Sequence, residues 1–333
     1  MYMAKFLLLV FMLLGMFFQV LSCSNQTQFI ASKEADVIIF HPSVWANIDD
    51  IESYEQIAKE LGVITKRVDY VFINKKESFL DKEGRRKIRV LIIPGGEVGY
   101  WFDPKKKDAV SCQGVDNILS FVECGGSVIA LCHCGSYLFS TYAEWLNPLP
   151  PQAQRGEWYM KNYLRGHFDR VCGKNAFRGT VSGPQESNQP YFKTRFLPIN
   201  MNPENEIVRE GKLPSVIYQI VSGGGSIIPD KGQPLDVVGW YANGTAAIGI
   251  VPFGQGRIIL CNPHPNITGK RVEIWRTRYL EGDAKYMKYW GWTKEMIAQE
   301  RKLVEKDKDP DGPGPDWALS KAMLSYAYGK ASQ

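Results

Sequence analysis

The stretch that most limits what this chain can fold into is Gly125-Gly126-Ser127-Val128-Ile129-Ala130-Leu131-Cys132-His133-Cys134-Gly135-Ser136-Tyr137. A glycine pair opens it, a short apolar run follows, and a Cys-His-Cys-Gly-Ser corner closes it. An apolar run between two helical patterns, residues 113–124 and 137–145, reads as a parallel strand buried on both faces. A sharp strand-to-helix turn lifts one side chain clear of the sheet, and the helix N-terminus behind it favours negative charge. A thiol at that point has its pKa lowered and is suited to act as a nucleophile. So tight a turn needs small residues two before and two after the nucleophile. Cys132 has Ala130 and Cys134 there, His133 has Leu131 and Gly135, and Cys134 has Cys132 and Ser136. Cys132 fits best and Cys134 second. The bland reading of Cys132 is a small hydrophobe that ends a core strand.

Around this corner the N-terminal half alternates strand and helix. Residues 35–40 form a buried-strand pattern that His41-Pro42 breaks. Residues 48–61 have helical spacing, with Asp49, Asp50 and Glu52 early, where acids favour a helix start. Residues 65–72 and 89–93 read as strands, the latter ending in Pro94-Gly95-Gly96. This alternation predicts an α/β fold with a mostly parallel central sheet flanked by helices. Past Pro148, Pro150 and Pro151, which no helix crosses, the pattern changes to short strands at 177–182, 215–221, 236–242, 245–252 and 256–261. Asn243-Gly244 signals a hairpin, so the C-terminal half should carry antiparallel strands. The tail has a helical pattern at 293–306 and a Pro/Gly-rich linker from Asp309 to Pro315. The expected organisation is residues 1–22 as signal peptide, 23–34 as tether, 35–269 as the α/β domain and 270–333 as a helical extension. That extension should be dispensable for folding of the sheet.

Lys5, the apolar run that follows it and Val20-Leu21-Ser22-Cys23 have the layout of a secretory signal peptide. Val-Leu-Ser-Cys also resembles a bacterial lipoprotein cleavage box, which would lipidate Cys23. The chain is thus expected to be exported, as a membrane-anchored lipoprotein or a secreted protein, with membrane contact only through Cys23. Six further cysteines then face an oxidising compartment, where they are free to pair. With 40 basic against 35 acidic side chains, the chain lacks the basic excess of a nucleic-acid binder. Cys132-His133-Cys134 has no second Cys/His cluster downstream, so no metal is expected, and no cofactor either.

Several segments recur together in one family: Ile92-Ile93-Pro94-Gly95-Gly96, the corner at 125–137, Arg178-Gly179-Thr180-Val181-Ser182-Gly183-Pro184, residues 218–225, and residues 247–265 ending in Pro263-His264-Pro265. Together they resemble the class I glutamine amidotransferase-like fold, of flavodoxin-like type, and in particular the N-terminal domain of eukaryotic-type biotin–protein ligases. The resemblance spans about residues 35–268. It implies a Cys nucleophile at the corner, His264 as base, and an orienting residue two positions on, where the family's Glu is replaced by Asn266. It also implies backbone oxyanion donors at Gly95, Gly96 and the residue after the nucleophile, His133. The family's corner reads Cys-X-Gly, one residue shorter than here. Aligned from the left the nucleophile is Cys132; aligned from Gly135 it falls on His133. Two functions follow: a Cys–His site for thiol-dependent hydrolysis or acyl transfer on a small amide-type ligand, or a non-catalytic binding or scaffold protein on the same fold. No ammonia-using domain and no biotin-ligase catalytic domain is recognisable in the chain.

Overall fold

The computed structural model describes residues 35–42, 46–96, 101–102, 106–144, 168, 172–182, 195–221, 225–265 and 315–330. At its centre is β4 (Ser127–Leu131), every residue of which is buried. Parallel neighbours flank it, β3 (Val90–Ile93) on one side and β12 (Gly256–Cys261) on the other. Beyond β3 lie β1 (Val37–Phe40) and β2 (Thr65–Val68), again parallel. β1 and β3 are apolar at every position because helices cover both faces of the sheet. Past β12 the pairing becomes antiparallel through β11 (Ala246–Phe253), β10 (Asp236–Trp240), β7 (Arg195–Met201) and β8 (Val216–Val221). A branch of β5 (Ser140–Glu144), β6 (Phe177–Ser182) and β9 (Ser226–Pro229) joins the sheet where β9 meets β11. The class is α/β, with a parallel half and an antiparallel C-terminal half.

Side chains alternate between two apolar layers. Leu91, Ile93, Val128 and Ala130 face α3 (Cys112–Glu123) and α4 (Cys132–Phe139), where Ile118, Phe121, Tyr137 and Phe139 fill one layer. Val90, Ile92, Ile129 and Leu131 face α1 (Ile48–Glu60), α5 (Glu206–Glu210) and α6 (Pro315–Lys330), which supply Ile51, Ile57, Ile207, Leu319 and Met323 to the other. A disulfide ties Cys112 at the start of α3 to Cys172.

Three local expectations change. The strand predicted over 65–72 stops at Val68, because the Asp69 side chain accepts the N–H groups of Val71 and Phe72 and starts the short helix α2 (Tyr70–Asn74). The corner helix starts at Cys132, five residues before the predicted Tyr137, and gives way to β5 at Ser140. The third difference concerns the end of the chain. Helix α6 buries Trp317, Leu319, Met323, Leu324 and Ala327 against the sheet and α1. Lys321 and the Trp317 indole reach Glu60 at the far end of α1, at 3.1 and 3.4 Å. Arg257 stacks over Tyr326 and donates to its hydroxyl at 2.9 Å. This part of the tail is a layer of the domain, since without it the sheet would face water there. Residues 1–34, 146–151 and 293–306, with the signal peptide, the proline break and the second tail helix expected of them, lie outside the described residues.

Candidate active site

The carboxyl ends of parallel strands form one edge of the sheet, the edge where open α/β proteins bind ligands. Gly95 follows β3 there, Cys132 follows β4 and His264 follows β12, while Asp50 lies in the first turn of the helix that comes after β1. The corner itself is strained. Leu131 is extended, and Cys132 then takes φ +65°, a left-handed conformation that side-chain-bearing residues rarely adopt. Such outliers persist where the surroundings over-determine them, and they cluster at functional sites. Gly135 lets the new helix press on the strand it leaves: a Cβ there would sit 2.9 Å from the carbonyl carbon of Ala130.

Four groups converge at this edge. His264, 3% exposed, places Nδ1 3.3 Å from Oδ1 of Asp50, which is fully buried. The other Asp50 oxygen accepts the Gly95 N–H at 2.7 Å. Cys132, 6% exposed, lies close enough to the same imidazole for its charge to act on it. Because Asp50 holds Nδ1, the nitrogen left for the thiol is Nε2. Gly95 lies at the junction. A Cβ on it would stand 2.7 Å from His264 Cε1, 2.9 Å from Cys132 Cβ and 3.0 Å from Asp50 Oδ2. Asn47 braces the arrangement. Its N–H donates to the Gly95 carbonyl at 2.8 Å, its side-chain oxygen caps α1 through Asp49 N, and its amide nitrogen is 3.5 Å from His264 Nδ1.

Electrostatics follow from this packing. Burial disfavours a charged imidazole, but a Cys132 thiolate and the Asp50 carboxylate outweigh it and hold the His264 pKa well above the ordinary value. The nearby thiol of Cys261 behaves differently. Burial raises its pKa, the charges of Asp50 and Cys132 raise it further, and its Sγ sits 3.6 Å from the Pro263 carbonyl. Of these two thiols, only Cys132 has a base beside it.

The residues expected from the sequence are therefore distributed as follows. Cys132 and His264 are brought together. Gly95 is beside them, but its N–H is committed to Asp50, so it is not a donor for an oxyanion. Gly96, at φ +143°, follows on the same turn, and the His133 amide lies in the first turn of α4. Asn266 and Cys23 lie outside the described residues. Sequence reasoning missed Asp50, taking it for an acid at a helix start. The signal was present: Asp50 sits on the stripe of Ile51, Tyr54, Ile57 and Ala58, and an acid on the buried face of a helix requires a partner. Among the described residues no three or more His, Cys, Asp or Glu side chains are grouped to hold a metal ion.

No family model and no curated relative matches the chain. Among solved structures, a glutamine amidotransferase from Thermotoga maritima superposes with a TM-score of 0.49 at 11% identity, covering 89% of this chain and 99% of its own. A glutamine amidotransferase from Methylobacillus flagellatus gives 0.47 at 9% identity, covering 91% and 96%. A ThuA-like protein from Parabacteroides merdae gives 0.37 at 14% identity, covering 69% and 79%.

Proposed function

We propose that this protein is a thiol-dependent amide hydrolase or acyl transferase on an amidotransferase-like fold, with Cys132 as nucleophile, His264 as base and Asp50 as the carboxylate that orients the base. One observation carries the reading: Cys132 at its left-handed corner, His264 and Asp50 all close on the same glycine, Gly95. Asp50 fills the role that the family resemblance gives to the position of Asn266. In the reaction, His264 already holds the Cys132 proton, and the thiolate Sγ bonds to the carbonyl carbon of a small amide. Charge develops on the carbonyl oxygen, for which the amides of Gly96 and His133 are the donors to test. Collapse expels the amine, which takes the proton from His264. Water or another acceptor then releases the acyl group from sulfur. The closer likeness to biotin–protein ligase N-terminal domains rests on the sequence segments alone.

Export is part of the same proposal. The Cys112–Cys172 disulfide suits an oxidising compartment and agrees with the signal-like N-terminus. A non-catalytic binding role is the second reading, favoured by the near-complete burial of Cys132 and His264. Iodoacetamide labelling resolved by pH separates the two. Labelling of Cys132 well below the ordinary thiol pKa of about 8.5, lost in Cys132→Ser and moved to higher pH in His264→Ala and Asp50→Asn, supports the enzyme. Slow labelling at neutral pH that ignores His264→Ala rules it out.

A further inference from the structure

The carboxyl edge of the sheet holds a second cysteine that the proposed reaction does not use. Cys261 ends β12, which runs parallel to β4, and its backbone pairs with Leu131, the residue before Cys132. Adjacent strands lie about 4.8 Å apart and one residue advances about 3.3 Å, which puts the Cα atoms of Cys132 and Cys261 about 6 Å apart. Disulfides join Cα atoms about 4.4–6.8 Å apart. Neither cysteine is in a disulfide in this structure. Cys124, the remaining unbridged cysteine among the described residues, precedes β4 and lies at the opposite edge of the sheet.

The two side chains also face one way. Leu131 and Cys261 both belong to the apolar layer under α1. Strand alternation would send Cys132 to the other layer. Its φ of +65°, however, differs by about half a turn from the roughly −120° of a parallel strand. That rotation about the N–Cα bond swings Cβ back to the α1 side, the side of Cys261. The contacts agree, since a Cβ on Gly95 would meet both Cys132 Cβ and a carboxylate oxygen of Asp50, which belongs to α1. The strained corner thus turns Cys132 toward an imidazole and a second thiol together. Burial raises the Cys261 pKa, and the charges of Asp50 and Cys132 raise it further, so Cys261 keeps its proton.

We propose that Cys261 is the resolving thiol of a peroxide-sensitive switch, closing a disulfide with Cys132 that shuts the active site. The proposal rests on Cys132 being the nucleophile of the amide reaction. A peroxide supplies the oxidant. Cys132 Sγ takes one peroxide oxygen, the O–O bond breaks, and the departing hydroxide leaves as water with the proton held by His264. Cys132 is then a neutral sulfenic acid. Cys261 Sγ bonds to its sulfur, and the sulfenic hydroxyl departs as water with the Cys261 proton. The two thiols have together given two electrons to the peroxide, and a dithiol reductant returns them. The test treats the wild-type full-length chain with hydrogen peroxide, digests it without reductant and maps the peptides by fragment mass spectrometry. A link from Cys132 to Cys261 is expected, with loss of iodoacetamide labelling at Cys132 and its return with dithiothreitol. Cys261→Ala should label as wild type before peroxide and afterwards be over-oxidised at Cys132, so that dithiothreitol no longer restores labelling. Fast labelling of untreated Cys132, followed by a link to Cys134 instead or by no link, overturns the switch and leaves the amide reaction standing. Slow labelling of untreated Cys132 at neutral pH overturns both.

Discussion

Gly95→Ala adds one carbon at the point where the candidate site converges. That carbon would stand 2.7, 2.9 and 3.0 Å from His264 Cε1, Cys132 Cβ and Asp50 Oδ2. Ordinary carbon contacts lie at about 3.5–4.0 Å, so the ring and the corner must retreat by roughly 0.6–1 Å. None of the three can do so cheaply: His264 and Asp50 are bonded to each other, and Cys132 belongs to a strained corner. Overpacking of this kind costs about 1–3 kcal/mol of stability. Displacement of reacting groups by about 1 Å costs on the order of 100-fold in rate. The expected result is an iodoacetamide labelling rate at pH 7 that falls by about 10–100-fold, with a lowered Tm. Gly329→Ala, where a new Cβ would meet nothing within 4 Å, is the control and should leave labelling unchanged. Wild-type labelling by Gly95→Ala would refute the idea that these three groups act together. A lowered Tm with wild-type labelling would reduce Gly95 to a packing residue.

Other outcomes follow from the same structure. His264 has a raised pKa in the fold, so above about pH 6.5 the folded chain keeps a proton that the unfolded chain has shed. Its contribution is complete below that pH and is lost as pH rises through the folded value; the Tm difference between wild type and His264→Asn should shrink over that range, and a growing difference refutes the assignment. Reducing the Cys112–Cys172 bridge, which spans 60 residues, should cost up to about 4 kcal/mol, seen as a lower urea midpoint with reductant, and an unchanged midpoint refutes a structural role. Truncation after residue 314 removes Trp317, Leu319, Met323 and Leu324, whose burial is worth about 1.5–3 kcal/mol each and together is comparable to a domain's net stability, and uncovers the apolar sheet face they pack on. The truncated chain should aggregate or bind a hydrophobic dye, and a soluble, two-state truncation would show that α6 is an accessory.

The parallel half was legible because its signals are local. Unbroken apolar runs at 37–40, 90–93 and 128–131 have one common explanation, burial on both faces. The corner was legible for a similar reason, since small residues, Ala130 and Cys134, stand two positions before and after Cys132. Asp50 was not, because its role depends on a partner 214 residues away. Nor was α6: the six residues of Pro, Gly and Asp before it announce a linker, and its sheet-facing stripe is diluted by Ser320 and Ala327. β7 carries Pro198 at mid-strand, a residue that argues against any strand until its neighbours are known.

The position of His264 just after the last sheet strand bears on the life of the nascent chain. Cys132 is made 132 residues before His264. At about 5–20 residues per second the thiol exists for roughly 7–26 s before its base does. In that interval Cys132 lacks the imidazole that would activate it, and β4 lacks its neighbour β12. The pairing of Cys132 with His264 is thereby deferred until nearly the whole sheet has been synthesised, so the incomplete chain carries a cysteine with no imidazole beside it.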